Sequence, residues 1–168
     1  MMFSLDTLQP VSAHELPKPK EVTIDPKTIP VDKAVVIGNP NGLKKLYVFT
    51  DPDCPYCRNL HTELKKLEKL VPELTIYVML FPLPSHPGAF DKSRTALEKK
   101  THEILDKAFE GKEVPKPATE SSRKAIEEII KFAAANGITG TPTMIFADGK
   151  VVVGGRDAEE LKQMLGGN

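Results

Sequence analysis

Leu46-Tyr47-Val48-Phe49-Thr50-Asp51-Pro52-Asp53-Cys54-Pro55-Tyr56-Cys57 is the stretch that decides the fold. Leu46 to Thr50 reads as a buried strand and Asp51-Pro52-Asp53 as the turn that ends it. Pro55 is the first-turn proline that a helix tolerates best. Cys54 therefore stands at a helix N-terminus, where unpaired N–H groups and the helix dipole favour a thiolate over a thiol. Asp51 and Asp53, if close, oppose that preference by like-charge repulsion. Cys57 lies one turn further on, and residues three apart on a helix have Cα atoms roughly 5 Å apart, within the span of a disulfide. The chain has 2 cysteines in all, so this pair makes a thiol–disulfide site the leading expectation.

Working outward, residues 1–30 carry five prolines (Pro10, Pro17, Pro19, Pro26 and Pro30) with little periodicity and read as an extended tail or linker without a core of its own. Residues 31–168 read as one domain. Ala34 to Ile37 is a short strand, closed by Gly38-Asn39-Pro40-Asn41-Gly42. After Cys54, Leu60, Leu64, Leu67 and Val71 repeat at helical spacing, and Leu74 to Leu80 is apolar enough for a central strand. The segment from Phe81 to Phe90 turns through Pro82, Pro84 and Pro87. A helical insert over about 91–136 follows, with helices at 91–110 and 121–136 and Gly111 and Gly137 as their C-caps. Thr143 to Phe146 and Val151 to Val153 flank Asp148-Gly149, a strong hairpin signal, and Asp157 with Glu160 opens a last helix. This order calls for an α/β fold, a thioredoxin-like central mixed sheet flanked by helices, with a helical insertion.

Charge and hydropathy narrow the function classes. Lys+Arg and Asp+Glu both number 23, giving a formal net charge of zero, so neither a nucleic-acid footprint nor an acidic-partner surface is advertised. No apolar run reaches the roughly 20 residues that cross a bilayer, and the first residues lack the basic-then-apolar layout of a secretory leader. If the protein is exported, its leader is expected to lie outside this sequence.

The second informative motif is Gly140-Thr141-Pro142-Thr143. A proline opening an internal strand cannot donate its ladder hydrogen bond, so it belongs at a special turn, which a cis Thr141–Pro142 bond would supply. Taken with Phe49 to Cys57 and Phe81-Pro82-Leu83-Pro84-Ser85-His86-Pro87, the run Gly140 to Gly149 resembles the catalytic domain of the DsbC/DsbG family of thiol:disulfide interchange proteins, over about residues 23–166. The resemblance implies that Cys54 attacks, that Cys57 resolves, and that Thr141-Pro142 forms a cis-proline loop beside the dithiol. Pro55 and Tyr56 would then meet the substrate, together with Thr141 and Pro142. It further implies a periplasmic protein that isomerises or reduces protein disulfides and is itself reduced by a membrane electron donor, with no cofactor or metal.

The chain departs from the family pattern in three ways. The stretch before residue 23 is too short for the family's N-terminal dimerisation domain, so a monomer or weak dimer is expected. The insert has no second cysteine pair. Thioredoxin places a buried acid six residues before its attacking cysteine, and that position is Val48 here, so proton handling must differ.

Other readings of the same residues remain. A structural Cys54–Cys57 disulfide would close too small a loop to restrict the unfolded chain much. Cys54, Cys57 and His61 supply three ligands where structural zinc wants four. His61 reads as a partly exposed helix residue, and His86 and His102 have no evident partner. Cys-Pro-Tyr-Cys is also the glutaredoxin sequence, and Gly154-Gly155-Arg156-Asp157 looks like the segment that holds glutathione there, which keeps a glutathione-dependent reductase open. A non-catalytic peptide-binding or chaperone module using the same groove is the remaining alternative.

Overall fold

The computed structural model describes residues 22–166. Five strands form one sheet in the order β1-β3-β2-β4-β5: β1 Val35–Gly38, β2 Lys44–Thr50, β3 Leu74–Leu80, β4 Thr143–Phe146 and β5 Val151–Val153. β2 and β3 run parallel in the middle, and the other pairings are antiparallel. Parallel neighbours need a crossover, and α1, Pro55–Leu70, supplies it. The remaining helices are α2 Ala89–Lys99, α3 His102–Phe109, α4 Glu120–Ala135 and α5 Ala158–Met164.

Alternation along β2 places the helices. Phe49 stacks on Phe132 of α4, and Thr50, the next residue, reaches Cys57 of α1. Successive strand side chains point to opposite faces, so α1 and α4 cover opposite sides of the sheet. α5 packs beside α1, and α2 packs against α3 and α4. β2 and β3 are buried almost throughout, as strands covered on both faces must be. On α1 the buried stripe Cys57, Leu60, Leu64 and Leu67 follows the helical period. Burying each leucine contributes about 1.5–3 kcal/mol. No helix among the described residues is long and apolar enough to cross a membrane.

Two expectations about boundaries change. The sequence reads as a tail over residues 1–30, yet Ile24 and Ile29 are buried in the core, and the Ile24 N–H donates to the Gly149 carbonyl at 2.9 Å. Residues 22–30 thus belong to the folded unit, and residues 1–21 lie outside the described residues. A single Ile at each of two positions has no period, which hid this packing from a pattern reading. Gly149, at φ +90°, permits the contact: a side chain there would meet the Ile24 carbonyl.

The helix expected over 91–110 is two helices. Lys100 adopts φ +53° and ends α2, and Thr101 caps α3 by accepting the Ile104 N–H. A side-chain cap at Thr101 competes with continuing the helix, and here it wins. Behind this break, the carboxylate of Glu98 gathers the start of α4. It accepts from the Ser122 hydroxyl at 2.6 Å, from the Thr119 N–H at 2.9 Å and hydroxyl at 3.1 Å, and from the Ala118 N–H at 3.0 Å. These bonds, the Ser122 hydroxyl foremost, hold the Glu98 carboxyl down at about 2, below its ordinary 4.5.

A lowered folded-state value means that Glu98 contributes stability above pH 4.5 and loses it as pH falls toward 2. Glu98→Gln is expected to cost about 1 kcal/mol at pH 7, roughly 2–4 °C in Tm. The gap between wild type and variant should close between pH 4.5 and pH 2 in thermal unfolding followed by circular dichroism.

Candidate active site

Cys54 is the N-cap of α1 and Pro55 occupies the first helical turn, so the dithiol sits where the helix presents its free N–H groups. The cap has no side-chain hydrogen bond of its own. The turn leading into it is closed by the Cys54 N–H donating to the Asp51 carbonyl at 3.1 Å. Cys54 is 6% exposed and Cys57 fully buried. Burial pushes the Cys57 thiol up to about 12, against the opposing pull of the nearby polar groups of Thr141, Thr50 and the Asp51 backbone. The two sulfurs are close enough for each charge to be felt by the other.

Across from them, the Thr141–Pro142 peptide is cis, and the Thr141 carbonyl lies 3.9 Å from Cys54 Sγ as acceptor of its S–H. The residue that follows β5 secures this loop, the Gly154 N–H donating to the Pro142 carbonyl at 2.8 Å. Among the described residues no hydrogen bond engages the Thr141 N–H. Tyr56 stands 72% exposed at the rim, so Cys54, Cys57, Pro55, Tyr56, Thr141 and Pro142, singled out from sequence, come together in one place.

The aspartates before the dithiol are not free charges. Asp51 is fully buried, and its carboxylate accepts from the Asp53 N–H, the Leu83 N–H and His86 Nδ1, each at 2.8 Å. A carboxylate only accepts, so the ring nitrogen of His86 is the donor. Asp53 is held by Lys92 Nζ at 2.7 Å and by Arg58 at 3.1 Å. Their repulsion of a Cys54 thiolate is therefore largely offset by nearby donors and cations.

His86 thus has a partner that its position in a proline-rich loop gave no sign of, because Asp51 is 35 residues away. The expectation for His61 is also corrected. It is 6% exposed, stacked on Phe109 of α3, with Nε2 at 2.8 Å from Asp106, which also pairs with Lys65 at 2.6 Å. Burial lowers the His61 ring below its ordinary range, with Asp106 opposing. The insert covers that side of α1, which a helical wheel of α1 alone leaves open to solvent.

Removing the carboxylate at Asp51 strands two part-buried amides and a ring nitrogen. Asp51→Ala is expected to destabilise the protein by about 3–5 kcal/mol, whereas His86→Ala, which spares the amide bonds, should cost about 1–2 kcal/mol. Urea unfolding of the two variants in parallel checks the order, and an Asp51→Ala midpoint equal to wild type would refute it.

The chain matches the family model of the thioredoxin-like domain over residues 31–167. It is 31% identical over 139 residues to a probable thiol:disulfide interchange protein DsbC of Bordetella avium, covering 82% of this chain and 47% of that protein. It is 29% identical over 133 residues to the thiol:disulfide interchange protein DsbC of Salmonella typhimurium, covering 78% and 54%. The chain therefore spans about half the length of these relatives. A crystal structure of a disulfide interchange protein from Neisseria gonorrhoeae superposes with a TM-score of 0.67 at 26% identity, covering 82% of this chain and 96% of that one. A central mixed sheet, a dithiol capping its crossover helix and a match over most of its length agree: the chain belongs to the thioredoxin-like domain family.

Proposed function

We propose that this protein is a thiol:disulfide oxidoreductase that reduces or isomerises disulfides in protein substrates through Cys54 and Cys57. The observation that carries this reading is the pairing of a dithiol at a helix N-terminus with the Thr141 carbonyl of the cis-proline loop, 3.9 Å from Cys54 Sγ. Cys54, at the helix cap, attacks the substrate disulfide and forms a mixed disulfide. Cys57, buried behind it, resolves that intermediate in net reduction, and a substrate thiol resolves it in isomerisation. The unengaged Thr141 N–H suits pairing with an extended substrate segment, with Pro142, Pro55 and Tyr56 as the adjoining surface. The resemblance to DsbC supports a periplasmic location and a membrane electron donor as redox partner.

Glutathione is a poorer occupant. The groove of about 420 Å³ beside Tyr56 contains Gly155, Arg156 and Asp157, but it also carries Glu63 and Glu160. Glu160 pairs with Arg156 at 3.5 Å, so the one cation there is answered and an anionic tripeptide meets excess negative charge.

In a scrambled-disulfide protein assay, Cys54→Ser should fall to the uncatalysed rate, and Cys57→Ser should accumulate a mixed disulfide visible by intact mass. Full activity in Cys54→Ser would favour a binding module instead. Equilibration in glutathione buffers should give a reversible two-electron couple, in the range of about −120 to −200 mV for an isomerase and near −270 mV for a thioredoxin-like reductant.

A further inference from the structure

Among the described residues, His86 is the one side chain that answers the buried carboxylate of Asp51, with Nδ1 at 2.8 Å from Oδ2. The other two bonds that this carboxylate accepts come from the backbone N–H groups of Asp53 and Leu83, and the neighbouring cations Lys92 and Arg58 pair with Asp53 instead. Asp51 is fully buried and the His86 side chain is 26% exposed, so the pair joins a buried charge to a group within reach of solvent. The loop fixes the ring in place. The Phe81 N–H donates to the Thr50 carbonyl at 2.8 Å, which carries the chain from β3 past the end of β2. The His86 N–H donates to the Leu83 carbonyl and the Ala89 N–H to the His86 carbonyl, both at 3.0 Å. Pro84 and Pro87, on either side, restrict the backbone further.

Asp51 is also the residue whose carbonyl accepts the Cys54 N–H at 3.1 Å, so the residue that shapes the turn under the dithiol carries a negative charge as well. A like charge near a forming thiolate opposes it, and a donor bound to that charge weakens the opposition. Resting on the reaction proposed above, we propose that His86 is a positioning residue for it: by donating from Nδ1 to Asp51, it holds the carboxylate and its charge in a hydrogen bond and keeps the Cys54 thiolate available for attack. In the reduced protein a charge on Cys54 is favoured by the helix N-terminus and opposed by Asp51, and His86 tips that balance toward the thiolate. In the oxidised protein the Cys54–Cys57 bond carries no charge, so the same hydrogen bond has less to act on. His86 therefore favours the reduced form, and its removal favours the disulfide.

The test compares the full chain with His86→Ala and with His86→Asn, whose side-chain amide offers an N–H donor near the place of Nδ1. Each is equilibrated in glutathione buffers near neutral pH and read by thiol trapping and intact mass. His86→Ala is expected to raise the [GSH]²/[GSSG] ratio at half oxidation about 3–10-fold. The ultraviolet absorbance of the thiolate in the reduced protein should be lost at a higher pH in His86→Ala than in wild type. His86→Asn should bring both readouts back toward wild type. A His86→Ala protein that unfolds at lower urea with its ratio and absorbance unmoved would overturn the proposal, because a packing role changes stability alone. An Asn variant that matches Ala in both readouts would overturn it too, since the donor is then not what acts. If wild type shows no reversible thiol–disulfide couple, the reaction proposed above falls and this inference falls with it, whereas a reversible couple that His86→Ala leaves unchanged removes this inference alone.

Discussion

The buried carboxylate of Asp51 is the fastening on which the site depends. One side chain closes the turn that presents Cys54, fixes the Leu83 amide of the proline-rich loop and holds His86. Its neighbour Asp53 repeats the pattern with Lys92 and Arg58. Strand β2, the dithiol helix and the entry to the insert are thereby joined at one point. A fully buried carboxylate is tolerated there because every bond it accepts offsets part of its desolvation.

Around this fastening the two cysteines are made unequal. Cys54 occupies the helix cap beside the first-turn amides, next to the cis-proline loop. Cys57, three residues later, sinks into the space between α1 and β2, where burial holds it as a thiol pushed up to about 12. The inequality follows from the geometry of one helix turn: the same period that brings i and i+3 within bonding reach carries the second residue to the face that packs on the sheet. A sulfur at the helix cap, 6% exposed, and a fully buried thiol behind it suit the proposed reaction, in which the first sulfur attacks and the second waits.

The insert takes part in the site as well as in the fold. α3 covers His61 through Phe109 and Asp106, α2 brings Lys92 to Asp53, and Glu98 draws in the start of α4. With no cysteine pair to cross-link it, the insert is held by packing and by these charge-assisted hydrogen bonds, which are stronger than neutral ones.

Local pattern was enough for the strand-turn-helix at Leu46–Cys57, the hairpin at Asp148-Gly149 and the dithiol itself, because each rests on the intrinsic preferences of adjacent residues: period, turn chemistry and first-turn proline. The break at Lys100 was half legible, since Thr101 is a good cap but competes with an unbroken apolar period. The partners of His86 and His61, the reach of Asp51 to Leu83, and the seating of Ile24 and Ile29 were not legible. Each joins groups tens of residues apart, and a lone polar side chain carries no mark of whether folding will bury it or what it will meet. Periodicity tells a residue which way to face, whereas only the packing of distant segments determines which donors and acceptors face it back.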